Sequence, residues 1–185
     1  MVKEKDHPHQ LGKEEFDDFG IPTIGLMVRM TRNLWHTGKV VTMDSGFCVS
    51  RGIVQLHLKG VYGQALIKKR GRYWASFVPG DQIDDHFKDK RLGEVETLKQ
   101  EINGFPFYIH CQKDDGYLTK IMSTHGCILL VEDHETRRQS NDVSYVHFKY
   151  PHPISRHNWS KHWVDDAKNR RHDQISLSDT WRTKY

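Results

Sequence analysis

Lys39-Val40-Val41-Thr42-Met43-Asp44-Ser45-Gly46, with the residues that follow it to Ile67, is the stretch whose reading decides the fold. Lys39 to Met43 is a compact, β-branched run. It is entered through Thr37-Gly38 and ended by Asp44-Ser45-Gly46, which reads as a short strand closed by a turn. Residues 47–59 then offer Phe47, Ile53, Val54, Leu56 and Leu58 as the apolar residues of a helix. Gly60 suits the position just past its end, where left-handed backbone is common. Val61 to Ile67 reads as a second strand. Strand, turn, helix, glycine, strand is the β-α-β pattern, whose strands pair in parallel. Residues 39–67 are therefore expected at the centre of an α/β sheet.

On the amino-terminal side, residues 1–20 are polar and charged without periodicity and are expected as a disordered arm. The apolar run between Ile21 and Met30 fits either a strand or the start of a short helix. Beyond residue 68 the texture changes. A loop at Pro79-Gly80-Asp81 and a charged stretch from Asp84 to Arg91 lead into alternating, strand-like sequence. Phe105–Gln112 and Leu118–Ser123 pair plausibly across Asp114-Asp115-Gly116, a hairpin-type turn. Further strands are expected at Gly126–Val131 and Ser144–Lys149, so that 70–150 forms a mostly β insertion. Pro151 and Pro153 close it, and Ser155 is placed to cap a helix running to about Arg171. On that helix Trp159 and Trp163 lie one turn apart, with Ala167 a further turn on, which makes a narrow apolar stripe.

The 185 residues suffice for one domain with a real core, but only 36% are hydrophobic and the mean hydropathy is −0.74, so a large polar surface is implied. A formal charge of +4 suits a polyanionic partner without singling one out. Cys48, Cys111 and Cys127 are odd in number and form no C-x-x-C pair, which argues against a disulfide framework or a zinc ribbon and for a reducing compartment. The 13 histidines are scattered. Nothing reads as a signal core or a transmembrane run, so a soluble, intracellular protein without membrane contact is expected.

Asp44 is the residue with the most chemical promise. A carboxylate at the carboxyl end of a central strand lies where α/β sheets build sites. Joined by other acids, it can hold the divalent ions of a phosphoryl-transfer nuclease. The plainer account is that it caps the following helix. Asp165-Asp166 on the last helix offers a second carboxylate. Its plainer account is a solvated acidic pair with i,i+4 partners, Lys161–Asp165 and Asp166–Arg170. Lys68, Lys69, Arg70 and Arg72 place four cations within five residues beside Tyr73 and Trp74, a combination suited to nucleic acid. Arg170 and Arg171 form a weaker patch. An ordinary solvated charge run would look the same. His110-Cys111 and His125-Gly126-Cys127 lack zinc spacing and are expected to be structural.

Taken in order, Gly38-Lys39 and Val40-Val41-Thr42-Met43-Asp44-Ser45-Gly46-Phe47 resemble the segment of piggyBac-type transposases that carries the second acid of an Asp-Asp-Asp triad. Gly60-Val61-Tyr62-Gly63 is similar to the family's join into the next strand. Val164-Asp165-Asp166 resembles its Val-Asp-x-x-Asp segment, with Asn158 to Trp163 in the place of the lead-in and Trp181 to Tyr185 like the start of the segment after it. The resemblance covers about 21–185. It implies an α/β fold: a partial RNase H-like core formed from 21–69 and 151–185, with the β-rich insertion 70–150 between the last core strand and the C-terminal helix. It also implies Asp44 and Asp165 (Asp166 in reserve) as catalytic acids and ligands of Mg²⁺ or Mn²⁺, DNA as partner, a homodimer, and a nuclear location. The family's first acid lies in an earlier strand, and no such motif precedes Gly38. Asp17-Asp18 stands in the polar arm and is not taken for it. Lys168 stands where many members have another Asp, and the family's cysteine-rich zinc domain has no counterpart. The expectation is a fragment truncated at both ends, of DNA-cleaving and joining ancestry and inactive alone. A non-catalytic DNA- or protein-binding remnant is the alternative.

Overall fold

The structure is a computed structural model that describes residues 19–67, 80–102, 104–131, 136–138 and 145–182, with the backbone course alone described at 80–81, 136–138, 145–147 and beyond Ala167. Helix α1 (Pro22–Met30) settles the apolar run after Ile21 as helix. Pro22 at its first turn has no N–H to leave unpaired. Ile24, Met27 and Val28 recur at helical spacing and are buried. The Thr31 hydroxyl donates back to the Met27 carbonyl at 2.9 Å and closes the last turn. Strand β1 (Val40–Met43) follows, then a 3-10 turn (Ser45–Phe47) and helix α2 (Ser50–Leu58). The helix begins three residues later than the apolar content suggests, because Ser45 to Phe47 are drawn into the tighter turn below Asp44.

Gly60 adopts φ +69° just after the end of α2 and lies against His36, whose Cα would be 2.9 Å from an added Cβ. Only glycine suits both the left-handed backbone and the contact. Strand β2 (Tyr62–Leu66) then pairs in parallel with β1, Val40 opposite Tyr62 and Met43 opposite Ala65. This is the β-α-β unit expected of 39–67, but among the described strands β1 is an outer one and not central, because β2 pairs on its other side with β5.

Helix α3 (Gly80–His86) occupies part of what reads as loop and charged sequence. It is held by Ile83, which with Phe87 is buried, and by an ion pair from Asp84 to Lys120 Nζ at 2.5 Å. Three strands follow as an antiparallel meander: β3 (Val95–Ile102), β4 (Phe105–Asp114) and β5 (Tyr117–Ser123). The β4–β5 hairpin turns through Asp115-Gly116, with Asp114 paired to Tyr117 and Gly116 at φ +73°. Strand β3 is longer than its sequence advertises, since Glu96, Lys99 and Glu101 interrupt the apolar alternation along an outer strand.

All five strands join one mixed sheet in the order β1-β2-β5-β4-β3. The strand anticipated over Gly126–Val131 reduces to β6 (Leu130–Val131), which pairs with β9 (Tyr150–Pro151) outside the main sheet. Strand β7 (Thr136–Arg138) pairs with β8 (Tyr145–His147), the core of the strand expected at 144–149.

The last helix, α4 (His152–Arg182), starts three residues before Ser155, which is therefore not its cap. Pro153 stands in its first turn, where a fixed φ and a missing N–H are tolerated.

The sheet is covered on both faces. Against one face pack α1, α2 and α3, enclosing the main core around Ile24, Ile53, Leu56, Ile83, Phe87, Phe107 and Ile109. The approach is close: an added Cβ at Gly63 on β2 would lie 3.2 Å from side-chain carbons of both Ile53 and Leu56. Against the other face lies the start of α4, with a small second cluster of Ile121, Tyr150 and Ile154. The architecture is mixed α/β with β-rich sequence between β2 and the C-terminal helix, and it is compatible with a partial RNase H-like transposase domain.

Candidate functional site

Side chains alternate across a strand, and β1 and β2 show which way each residue looks. Gly63 and Ala65 meet the α2 side, whereas Gln64 turns to α4. Gln64 Nε2 donates to Thr42 Oγ1 and to the Pro153 carbonyl, both at 3.1 Å, so one buried amide ties β1, β2 and α4 together. Asp44, two residues beyond Thr42, comes to the same side at the carboxyl end of β1.

There a cleft of about 580 Å³ opens between the sheet and α4. Thr42, Met43 and Asp44 end β1, Leu66 and Ile67 end β2, and Tyr117, Leu118 and Thr119 begin β5. The facing wall is His157, Asn158, Ser160, Lys161, Val164 and Asp165 of α4. The opening lies at the carboxyl ends of the two parallel strands, where open α/β sheets bind ligands.

Asp44 and Asp165, 121 positions apart in sequence, therefore border a single cleft, while Asp166 is exposed and does not line it. Asp44 also caps. Ser45 N–H donates to its Oδ1 at 2.6 Å, which satisfies the turn below and fixes the carboxylate's position. The plainer account of Asp44 is thus realised together with its place at the cleft. The i,i+4 ion pair from Lys161 to Asp165 is not formed among the described residues; both side chains border the cleft instead.

Of the cleft's other polar residues, Thr42, Tyr117, Thr119 and His157 carry no motif of their own. They are brought in by topology. Asn158, Lys161 and Asp165 recur at helical spacing (i, i+3, i+7), and that periodicity is the signal that finds the α4 wall from sequence.

The basic residues are differently placed. Lys68, Lys69, Arg70, Arg72 and Trp74 lie outside the described residues, although Ile67, which borders the cleft, is bonded directly to Lys68. Arg170 and Arg171 fall on the helical course of α4, with their side chains outside the description. His110 and Cys111 are fully buried, as expected of structural residues, and burial pushes the Cys111 thiol up to about 12. Cys48 is pushed up to about 12 by the same cause. Neither thiol is poised as a nucleophile. Among the described residues no group of three His, Cys, Asp or Glu side chains is arranged to hold a metal ion. No helix among them is long and apolar enough to cross a membrane.

No curated protein and no solved structure matches the chain. A family model does match, over residues 3–184, and its description is transposase IS4. The match runs through β1, the parallel β1–β2 unit and α4, and so takes in both carboxylates of the cleft. On that match the chain belongs to the transposase IS4 family.

Proposed function

We propose that the cleft between β1 and α4 is the remnant of a metal-dependent DNA strand-transfer site, of the piggyBac type within this family, with Asp44 and Asp165 as its acids. The observation that carries the reading is their convergence on one cleft at the carboxyl ends of parallel strands. Such convergence is what phosphoryl transfer requires of acids that lie far apart in sequence.

The donor set can be tested against the metal. Two carboxylates, the Asn158 amide and the Thr42 and Thr119 hydroxyls are hard oxygen donors, with no thiolate at the cleft. That chemistry fits Mg²⁺ or Mn²⁺, which bind through one or two carboxylates and otherwise retain water or take substrate phosphate oxygens. It fits one ion rather than two, since no third acid stands beside the pair among the described residues. When bound, such an ion neutralises charge on a phosphate and makes an attached water a better nucleophile.

The chain's own groups act around it. Asp44 is held in place by the Ser45 N–H, and Asp165 is presented by a helix whose first turn is fastened to the sheet through Gln64. Lys161 supplies a cation to a phosphate entering between them. The chain leaves the cleft at Ile67 directly into Lys68-Lys69-Arg70, so positive charge begins one residue from the opening. Nuclear location and pairing of two copies belong to the same reading by family resemblance.

With one ion's ligands, strand cleavage by this chain alone is expected to be negligible, while weak metal binding is retained. Mn²⁺ titration followed by electron paramagnetic resonance should show a single site of roughly millimolar affinity, lost in both Asp44→Asn and Asp165→Asn and kept in Asp166→Asn. Equal binding in all four proteins would remove the two acids from any metal site. A second reading, DNA binding without cleavage, draws on the lack of a third acid beside the pair among the described residues. DNA binding strengthened by Mn²⁺ in the unaltered chain but not in Asp44→Ala favours the first reading, and DNA binding indifferent to Mn²⁺ in both favours the second.

A further inference from the structure

His125-Gly126-Cys127, which lacks zinc spacing, folds into a well-tied loop after β5. Thr124 N–H donates to the Gly63 carbonyl at 3.0 Å, and its hydroxyl accepts from Gly63 N–H at 3.1 Å. His125 N–H donates to Ser123 Oγ at 2.9 Å. Farther on, the Leu129 carbonyl accepts from His152 N–H at 2.9 Å, so the loop is fastened to β2 at one end and to the start of α4 at the other. Gly126 lies so near β4 that an added Cβ would stand 2.6 Å from the Tyr108 hydroxyl. The His125 ring meets Tyr62 edge to face at 5.2 Å, and its centroid is 6.5 Å from that of His152. Arg156 follows His152 by four residues on α4 and so rises from the same face of the helix. All three side chains are half-buried, within reach of solvent. They stand at the opposite edge of the sheet from the cleft: Tyr62 opens β2 and Ser123 closes β5, whereas the cleft lies at Leu66 and Tyr117.

These basic groups have nothing of opposite sign beside them. Arg156 makes no ion pair among the described residues. After burial, its charge lowers the pKa of both His125 and His152, and His152 acts on His125 in the same direction. The groups facing the two rings from the packed elements are Tyr62 on β2, Tyr108 and His110 on β4, and Arg156 on α4, none of them a carboxylate. His110 is wholly buried and near enough for His125 to act on it, and its Nε2 has no partner among the described residues. The first turn of α4 holds no acid either, although a helix start favours one. Like charges gathered at the positive end of a helix repel, and an oxyanion relieves that repulsion. A guanidinium fork and two imidazole N–H groups are the donors such an anion takes. Three separate donors exceed what the two oxygens of one carboxylate need and suit the several oxygens of a phosphate.

We infer that His125, His152 and Arg156 hold a phosphate group, with Arg156 as the fixed charge and the two imidazoles as further donors. The chemistry is shared by a phosphodiester of a DNA backbone and by free phosphate. The inference goes beyond the cleft reading, since neither Asp44 nor Asp165 takes part. A bound anion favours imidazolium, so it raises the pKa of both rings.

The test follows the imidazole Hε1 resonances of the whole chain by NMR, assigned through His125→Gln and His152→Gln. The chain is titrated with sodium phosphate, with a short DNA duplex, and with sodium chloride at matched ionic strength. Arg156→Gln removes the fixed charge, Arg156→Lys keeps it, and a circular dichroism melt reports on the fold of each. The expected result is that phosphate moves both resonances and raises both pKa values while chloride does neither. Arg156→Gln should weaken binding about tenfold, with most of it kept in Arg156→Lys. Movement with the duplex assigns the site to the DNA backbone, and movement with phosphate alone assigns it to a free phosphate. No movement with either ligand, equal movement with chloride, or unchanged affinity in Arg156→Gln overturns the inference. The shifts in the unaltered chain decide the matter even if Arg156→Gln melts early. Mn²⁺ binding at Asp44 and Asp165 is read separately, so the failure of one reading leaves the other measurable.

Discussion

His110 shows how far one buried side chain can couple the fold to pH. Its Nδ1 is engaged by Thr97 Oγ1 at 3.0 Å, while its Nε2 is buried without a hydrogen-bond partner among the described residues, and the residue is wholly inaccessible. Burial, and after it the nearby His125, lower its pKa to about 4. The unfolded chain would take up a proton near the ordinary value of about 6.5. Above that pH both states hold neutral imidazole, and the stability is fully present. As pH falls from about 6.5 to about 4 the unfolded state binds a proton that the native state refuses, and stability declines by roughly 3 kcal/mol before levelling. His57, His125 and His152 are also shifted down, chiefly by burial, and add to the loss in the same direction. Urea unfolding at pH 7 and pH 4.5 should show a smaller difference in His110→Gln than in the unaltered chain. An identical difference in both would mean that this imidazole is not responsible.

Among the elements, α4 is tied to both parallel strands over the cleft through one buried amide. Gln64 is buried and joins Thr42 Oγ1 to the Pro153 carbonyl, at the very turn from which the helix reaches toward Asp165. Gln64→Ala should cost about 2 kcal/mol in urea unfolding, since two hydrogen bonds go and a buried carbonyl loses a partner. It should also weaken Mn²⁺ binding, because Asp165 is then held less firmly opposite Asp44. Unchanged metal affinity in a destabilised protein would separate the tether from the site.

Nothing in the sequence marks Gln64 for this role: it sits in an apolar strand like any outward-facing polar residue. The strand before Asp44, the helix with Gly60 behind it and the β4–β5 hairpin were legible because local chemistry decides them: β-branched content, a left-handed glycine, an Asp-Gly turn. The start of α4 was not, because two prolines that ordinarily end an element here sit in a strand residue and a first helical turn. Helix α3 was hidden because its stability comes from Ile83 and from Lys120 across the fold, both tertiary. The cleft divides in the same way. Its acids could be picked out by position in strand and helix, whereas Thr42, Tyr117 and Thr119 arrive only because β5 begins at the edge where β1 ends.

At the scale of the whole molecule the two faces of the sheet are unequal, and the candidate site lies on the weaker one. Among the described residues the α1–α2–α3 side closes over sixteen buried ones, from Ile24 through Met122, whereas the α4 side rests on Ile121, Tyr150 and Ile154. Opening free energy follows buried apolar area, so α4 should separate from the sheet at a lower cost than global unfolding. Native-state hydrogen exchange can resolve the two events with a pair of conservative variants. Ile53→Val removes a methyl from the main core, which stays intact when only α4 lifts away. It should lower the opening free energy of α2 and β4 amides by about 1 kcal/mol and leave that of 154–160 unchanged. Ile154→Val removes a methyl from the α4 contact, which is lost in either event, and should lower both by a similar amount. If Ile53→Val lowered exchange protection along α4 as well, helix and core would open together. A helix that opens alone gives the cleft a mobile wall, and Asp165 and Lys161 would then meet Asp44 in only part of the population. Ligands that bridge the two walls should raise protection at 154–160 selectively, an effect that Mn²⁺ would produce in the unaltered chain and fail to produce in Asp165→Asn.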